Sequence, residues 1–239
     1  MADINLDSFP AGSQAIVIGA SGGIGAAIVK ALEDSDQFSE VIGLSRSSEP
    51  ALDLTDEASI EAAAMALAQR GAEPRLTFDA TGFLHNDRFS PQRSWKELDP
   101  AHLAHDFAIN ATGPALLMKH FIPLLPREGK SVFATLSAKV GSIEDNGFGG
   151  WHSYRASKAA LNQFVKTMSI ELKRKWKEAA LLALHPGTVD TPLSEPFAKR
   201  GLNVRPPEEA AADLLSVINA LDASANGGFF DYQGERLPW

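Results

Sequence analysis

The sequence predicts an α/β fold built on a doubly wound parallel sheet of about seven strands, with helices on both faces. Short apolar runs of strand length alternate with helix-length amphipathic segments along almost the whole chain. The first apolar run also ends in a cluster of glycines that leads directly into a helical pattern, giving strand, glycine loop and helix in order.

Residues 15–19 are the first strand, and 23–32 read as a helix with Ile24, Ile28 and Leu32 on one face. Strand-like 40–44 follows, then a very short 51–53, a helix over 56–69 with Thr55 as its N-cap, and strand-like 76–80. After a polar stretch at 85–95 come a helical pattern over about 100–125, apolar 131–136, a long helix over about 154–176 and strand-like 180–184. Pro206, Pro207 and Glu208 open a last helix that runs to about Leu221, and 228–230 make the last strand. Without a linker, a fixed-period repeat or a low-complexity tract, residues 1–239 are expected to form one domain.

Composition narrows the function. Hydrophobic residues at 44% and charged residues at 22% are a normal globular balance. The net charge of -8 argues against a nucleic-acid partner, and the one basic run, 173–177, reads as a solvated helix end. The chain has no cysteine, which excludes disulfides, thiolate metal sites and a cysteine nucleophile. Residues 1–14 lack the basic start and apolar core of a secretory signal, and no apolar run has membrane-spanning length. A cytoplasmic protein with no membrane partner is expected.

Ligands of such sheets bind beyond the carboxyl ends of the strands, so the residues there carry most weight. Gly19-Ala20-Ser21-Gly22-Gly23-Ile24-Gly25 stands between the first strand and its helix, where bare backbone and a helix N-terminus suit a pyrophosphate. A plain turn is the other reading, but the position favours phosphate, with Gly19, Ser21, Gly22, Gly23, Ile24 and Gly25 as contacts. At the end of the second strand Ser45 and Arg46 replace the acidic residue of an NAD site; Arg46 either pairs with a 2′-phosphate or is an ordinary surface arginine. Asp53 either accepts from an adenine amino group or caps the next helix. Tyr154 and Lys158 lie one helical turn apart, roughly 5–6 Å at Cβ. Alone they read equally as a solvated pair, but Ser137 at a strand end and Asn110 in the preceding helix converge on the same crevice.

Gly19-x-x-x-Gly23-x-Gly25, Asn110, Ser137 and Tyr154-x-x-x-Lys158 stand in the order and at about the separations of the short-chain dehydrogenase/reductase family, which the chain resembles from Ala15 onward. Pro186-Gly187, with Thr188 and Thr191, is similar to the family's turn toward the nicotinamide carboxamide. The closing residues 229–239, with Asp231-Tyr232-Gln233-Gly234, resemble the C-factor and sniffer-type carbonyl reductase branch. Two departures stand out: Ile18 replaces a threonine before the first glycine, and Asp79-Ala80-Thr81-Gly82 replaces Asn-Asn-Ala-Gly. Ala80, Thr81 and Gly82 would face the adenosine ribose, and Asp79, if buried, needs hydrogen-bond donors.

The resemblance implies a Rossmann-type fold and an enzyme that uses NADP(H) in preference to NAD(H), interconverting a small-molecule carbonyl compound and its alcohol. Tyr154 would give or take the proton on oxygen and Ser137 would hydrogen-bond that oxygen. Lys158 would hold the nicotinamide ribose and lower the Tyr154 pKa, while Asn110 would position a relay water. Family members pair through the helices here at 100–125 and 154–176, implying a homodimer or homotetramer. The C-factor likeness leaves a second reading, an NADP(H)-binding regulatory protein with little turnover. No metal is expected, since His85, His105 and His152 lack metal-ligand spacing. Trp151 and His152 either line the substrate pocket or pack its entry, and Leu193, Phe197 and Leu202 in the covering segment 188–205 are candidate apolar lining.

Overall fold

Runs of six or seven mostly apolar residues form the strands β1 (Ser13–Ile18), β2 (Phe38–Leu44), β3 (Pro74–Asp79), β4 (Ser131–Leu136) and β5 (Ala179–His185). The structure is a computed structural model that describes residues 4–197 and 203–239. A two-strand sheet pairs β6 (Thr188–Val189) with β7 (Val204–Arg205), and β8 (Gly228–Asp231) joins the main sheet. That sheet is parallel and six-stranded, in the order β2-β1-β3-β4-β5-β8.

Parallel neighbours need crossovers, and helices supply them on both faces. These are α1 (Gly23–Glu33), α2 (Glu57–Gln69), α3 (Pro100–Phe107), α4 (Gly113–Phe121), α5 (His152–Lys175) and α6 (Pro207–Ala220). Side-chain alternation divides the core accordingly. Ala15 and Val17 of β1 join Phe78, Ala134 and Leu182 against Ile28 and Leu32 of α1 and Leu214 and Ile218 of α6. Ile16 and Ile18 join Phe133 and Leu181 against Ile60 of α2, Leu117 and Phe121 of α4, and Leu161 and Val165 of α5.

Three local details differ from the sequence expectation. Residues 51–53 form no strand; Leu52 N–H instead donates to Ser45 O at 2.8 Å, so the segment closes a turn beside the sheet edge. The N-cap of α2 is Asp56, which accepts from Ala58 N–H at 3.0 Å, while Thr55 bonds back to Asp53. The helical pattern over 100–125 contains one wide π turn, Ala108–Thr112, between α3 and α4. Such turns are frequent at functional sites, and this one carries Asn110.

Register brings the strand ends level. Ile18 is paired with both Leu44 and Asp79, and Leu136 with Leu184, so the loops that leave β1, β2, β3, β4 and β5 open along one edge.

Phe133, fully buried at the centre of this sheet, tests the packing. Phe133→Ala is expected to cost about 3–5 kcal/mol, read as a lower urea midpoint with the denaturant slope unchanged. A midpoint equal to that of the unmodified chain would show that Phe133 is not a core residue.

Candidate active site

Glycine is required where the chain folds back on itself between β1 and α1. Gly19 has φ +82°, and its N–H and that of Ala20 both bond to Leu44 O, at 2.9 and 3.1 Å. A Cβ on Gly25 would lie 2.1 Å from Gly19 O, which no side chain tolerates. One on Gly23 would meet the Thr191 methyl at 2.8 Å, so the segment after β6 also seats on this loop. Gly22 caps α1 without a side chain, which leaves the first N–H groups of the helix for another acceptor.

From this loop a groove of about 640 Å³ runs along the strand ends, lined by Gly19, Ser21, Gly22, Ser45, Arg46, Asp53, Ala80, Thr81 and Gly82. Sequence reasoning singled out all nine. Ile18, Leu52, Phe83, His85, His105 and Ile109 complete much of the wall. Gly23, Ile24 and Gly25 form the first turn of α1 and are not part of the lining. Arg46 is exposed and forms no ion pair among the described residues. Asp53 Oδ1 accepts from Thr55 N–H and Oγ1, at 2.8 and 2.7 Å, and those bonds hold its pKa below the usual carboxylate value with help from Arg46. It therefore closes the turn into α2 while lining the groove. A larger cavity of about 760 Å³ between the N-terminal segment, α1 and α6 contains none of the predicted site residues.

At the groove floor, Asp79 is fully buried and has found the donors its carboxylate requires. Thr81 N–H at 3.0 Å, Thr81 Oγ1 at 2.5 Å and Thr135 Oγ1 at 2.6 Å all point to it. Burial nevertheless raises its pKa, against the lowering by these bonds and by Lys158.

The polar centre lies where the groove meets α5. The Asn110 carboxamide accepts from Phe83 N–H at 2.8 Å and donates to Phe83 O at 2.9 Å and to Ser157 Oγ at 3.2 Å. Lys158 Nζ donates to Leu136 O at 2.8 Å, and the Ser137 hydroxyl donates to Asn162 Oδ1 at 2.6 Å. A Cβ on Gly82 would lie 3.7 Å from Lys158 Nζ and 3.8 Å from Asn110 Oδ1, so this glycine separates the groove from the buried centre. Pro186, Gly187 and Thr188 follow β5 and do not line this groove; Gly187 has φ +78° and lies against the Tyr232 ring.

Burial dominates the titration of the catalytic candidates. It pushes Lys158 down to about 8, against the opposing pull of Asp79. It also raises the Tyr154 phenol well above its usual value, with Asp106 adding to the rise. The expectation that Lys158 lowers the Tyr154 pKa is not met: the ammonium is turned to Leu136 O, and its own charge is disfavoured by burial.

Trp151 enters α5 with φ 53°, an uncommon left-handed conformation for a bulky residue. Its ring stands edge-on to Tyr154 at 6.0 Å and to Phe197 at 5.4 Å, and Phe197 meets His85 at 5.3 Å. Trp151 and Phe197 thus wall the space beside Tyr154; Leu193 is more exposed, and Leu202 lies outside the described residues. Neither His85 nor His105 belongs to a metal-binding cluster among the described residues.

Asn162 and Asp106 were missed from the sequence. Helical spacing alone could have found both, Asn162 four residues after Lys158 and Asp106 four before Asn110. Asp106 is buried 3.4 Å from His102 Nε2, and Gln92 bonds both His102 and Ser153 behind Tyr154.

A family profile described as Enoyl-(Acyl carrier protein) reductase matches residues 19–211. The chain is 30% identical to the 1-hydroxy-2-glutathionyl-2-methyl-3-butene dehydrogenase of a Rhodococcus species, over 95% of its own length and 100% of that protein. It is 36% identical to the C-signal protein of Myxococcus xanthus, over 60% of its own length and 82% of that protein. Among solved structures, the NADPH-bound carbonyl reductase from chicken fatty liver superposes with TM-score 0.83 at 23% identity, covering 97% of this chain and 95% of that one. The carbonyl reductase Sniffer of D. melanogaster superposes with TM-score 0.81 at 22% identity, covering 96% and 100%. No helix among the described residues is long and apolar enough to cross a membrane.

His185, directly before Pro186, gives this edge of the site a pH signature. Burial pushes it down to about 4, against a smaller opposing effect of Asp231, whereas the free side chain titrates near 6.5. Between those values the unfolded chain holds a proton that the folded protein lacks, so this group makes stability rise with pH across that window. His185→Gln is expected to flatten that rise in urea midpoints measured from pH 4.5 to 6.5. An unchanged slope would show that His185 is not the group responsible.

Proposed function

Because this chain belongs to the short-chain dehydrogenase/reductase family, we propose that it is an NADP(H)-dependent oxidoreductase that interconverts a small carbonyl compound and its alcohol. One observation carries the reading: a glycine-walled groove starts at an uncapped helix N-terminus and ends at Gly82, against Lys158 and Asn110. The cradle fits a dinucleotide because Gly19, Gly22 and Gly82 line it with bare backbone beside a helix N-terminus.

The loop from Gly19 to Gly25, through Ser21, Gly22, Gly23 and Ile24, would hold the pyrophosphate, and Ser45 with Arg46 the 2′-phosphate. Asp53 would face the adenine, and Ala80, Thr81 and Gly82 the adenosine ribose. Asn110, Tyr154 and Lys158 would meet the nicotinamide ribose, with Pro186, Gly187 and Thr188 at the carboxamide. NADPH, when bound, supplies the hydride that reaches the carbonyl carbon.

Tyr154 then gives its phenolic proton to the carbonyl oxygen. Burial and Asp106 hold that phenol protonated, so Tyr154 is present in the acid form that reduction uses, while the same shift makes it a weaker acid. Ser137 donates to the same oxygen as negative charge develops there. Lys158, protonated below about 8, would hold the nicotinamide ribose beside Tyr154. The half-buried Trp151 and Phe197 exclude water beside the reacting oxygen.

The likeness to C-signal supports a second reading, a cofactor-binding signalling protein. Oxidation of NADPH and NADH with a panel of aldehydes, ketones and quinones separates the two. Turnover supports the enzyme, and tight NADPH binding with no turnover supports signalling.

Tyr154→Phe keeps the ring but lacks the transferable proton. Its turnover should fall by at least about a hundredfold while NADPH still binds, and near-original turnover would remove Tyr154 from the acid-base role. Arg46→Ala should cut the preference for NADPH over NADH by about tenfold to hundredfold, read from the two dissociation constants. Equal constants in the unmodified protein would overturn the 2′-phosphate assignment.

A further inference from the structure

Asn162 lies one turn beyond Lys158 and two beyond Tyr154, so the three side chains leave the same face of α5. Its carboxamide is buried against Ser137, and the two groups are 3% and 4% exposed. The Ser137 hydroxyl donates to Asn162 Oδ1 at 2.6 Å, while Asn162 Nδ2 is buried without a hydrogen-bond partner among the described residues. The arrangement is doubly unfavourable for the reaction. A buried amide donor is left unmade, and the single proton of Ser137 is held by Asn162, so Ser137 can only accept.

Rotation of the carboxamide by about 180° about its Cβ–Cγ bond exchanges two groups of nearly equal size, gives the buried Nδ2 an acceptor and releases the Ser137 proton. Nδ2 then donates to Ser137 Oγ, and the hydroxyl proton is free to point at the reacting oxygen. A hydroxyl that accepts one hydrogen bond is also polarised into a stronger donor.

We propose that Asn162 is a positioning residue whose carboxamide, turned to donate from Nδ2 to Ser137 Oγ, frees the Ser137 hydroxyl from Asn162 to donate to the carbonyl oxygen. The proposal rests on the carbonyl-reduction reading above and adds a residue to it. It requires a donor at position 162, in addition to a side chain that fills the space.

Asn162→Thr and Asn162→Val provide the test, because they share a shape and differ in having or lacking a hydroxyl donor. Reduction is followed with NADPH and whichever of 4-nitrobenzaldehyde, acetophenone and 9,10-phenanthrenequinone the unmodified chain reduces fastest. Asn162→Thr should keep kcat within about threefold, and Asn162→Val should lose about tenfold to hundredfold with the KM for NADPH unchanged. In a Ser137→Ala background the two variants should have equal kcat, since the group they position is gone. If the β-branched pair does not fold, Asn162→Ser against Asn162→Ala makes the same comparison. Equal kcat for the donor and non-donor variants, or effects that multiply with Ser137→Ala, would overturn the proposal and leave carbonyl reduction standing. If Ser137→Ala itself leaves kcat unchanged, the role given to Ser137 fails and the relay with it. No reduction of any probe by the unmodified chain overturns both.

Discussion

The carboxamide of Asn110 joins three parts of the molecule that are distant in sequence. It bonds both the N–H and the C=O of Phe83, just beyond β3, and donates to Ser157 on α5, while its own backbone belongs to the π turn between α3 and α4. Asn110 is fully buried, so each bond replaces one that water would otherwise make, and losing any leaves a polar group stranded. The pairing with Phe83 sets where the chain after β3 passes, and with it Gly82 at the end of the groove. The bond to Ser157 sets the height of α5, whose next residue is Lys158. A wide turn at Asn110 follows naturally, because one extra residue there lets its side chain reach Phe83 without unwinding the helices on either side.

The sheet makes that junction reachable. Parallel strands with helical crossovers carry every loop that follows β1, β2, β3, β4 and β5 to one edge, and the alternation of side chains fastens α1 and α6 to one face and α2, α4 and α5 to the other. Two apolar layers anchor each strand, so the strand ends are rigid platforms for the polar residues just past them. Ser137 shows the effect: its N–H bonds Leu184 O at 2.8 Å, which fixes its backbone to β5 and leaves only its hydroxyl to orient.

Beneath the groove the molecule buries charge and compensates for it unevenly. Asp79 stands where the family has an asparagine, and three donors from Thr81 and Thr135 meet its carboxylate. Lys158 has one carbonyl partner, Leu136, and the field of Asp79. Each raises the tendency of the other to ionise, so the substitution couples the sheet floor to the ammonium assigned to the cofactor ribose. The strained backbone of Trp151 is the other local cost at the site, and it holds an aromatic wall beside Tyr154.

Periodicity and spacing in the sequence determined the alternating strands and helices, the glycine loop in its place after β1, and the one-turn separation of Tyr154 and Lys158. Those features are local: a strand is legible from its own apolar residues, and two side chains four apart on a helix share a face wherever that helix lies. Residues 51–53 have strand-like composition yet do not pair, because pairing depends on the neighbour's position as much as on the segment itself. The tertiary structure alone decided that Asn110 would hold Phe83, that Ser137 would meet Asn162 across 25 residues of sequence, and that Asp79 would find its donors. It also reversed the expected direction for Tyr154, since a pKa follows the depth at which packing leaves a group and the charges brought beside it. Burial and partnership are properties of the assembled chain, and no window of sequence contains them.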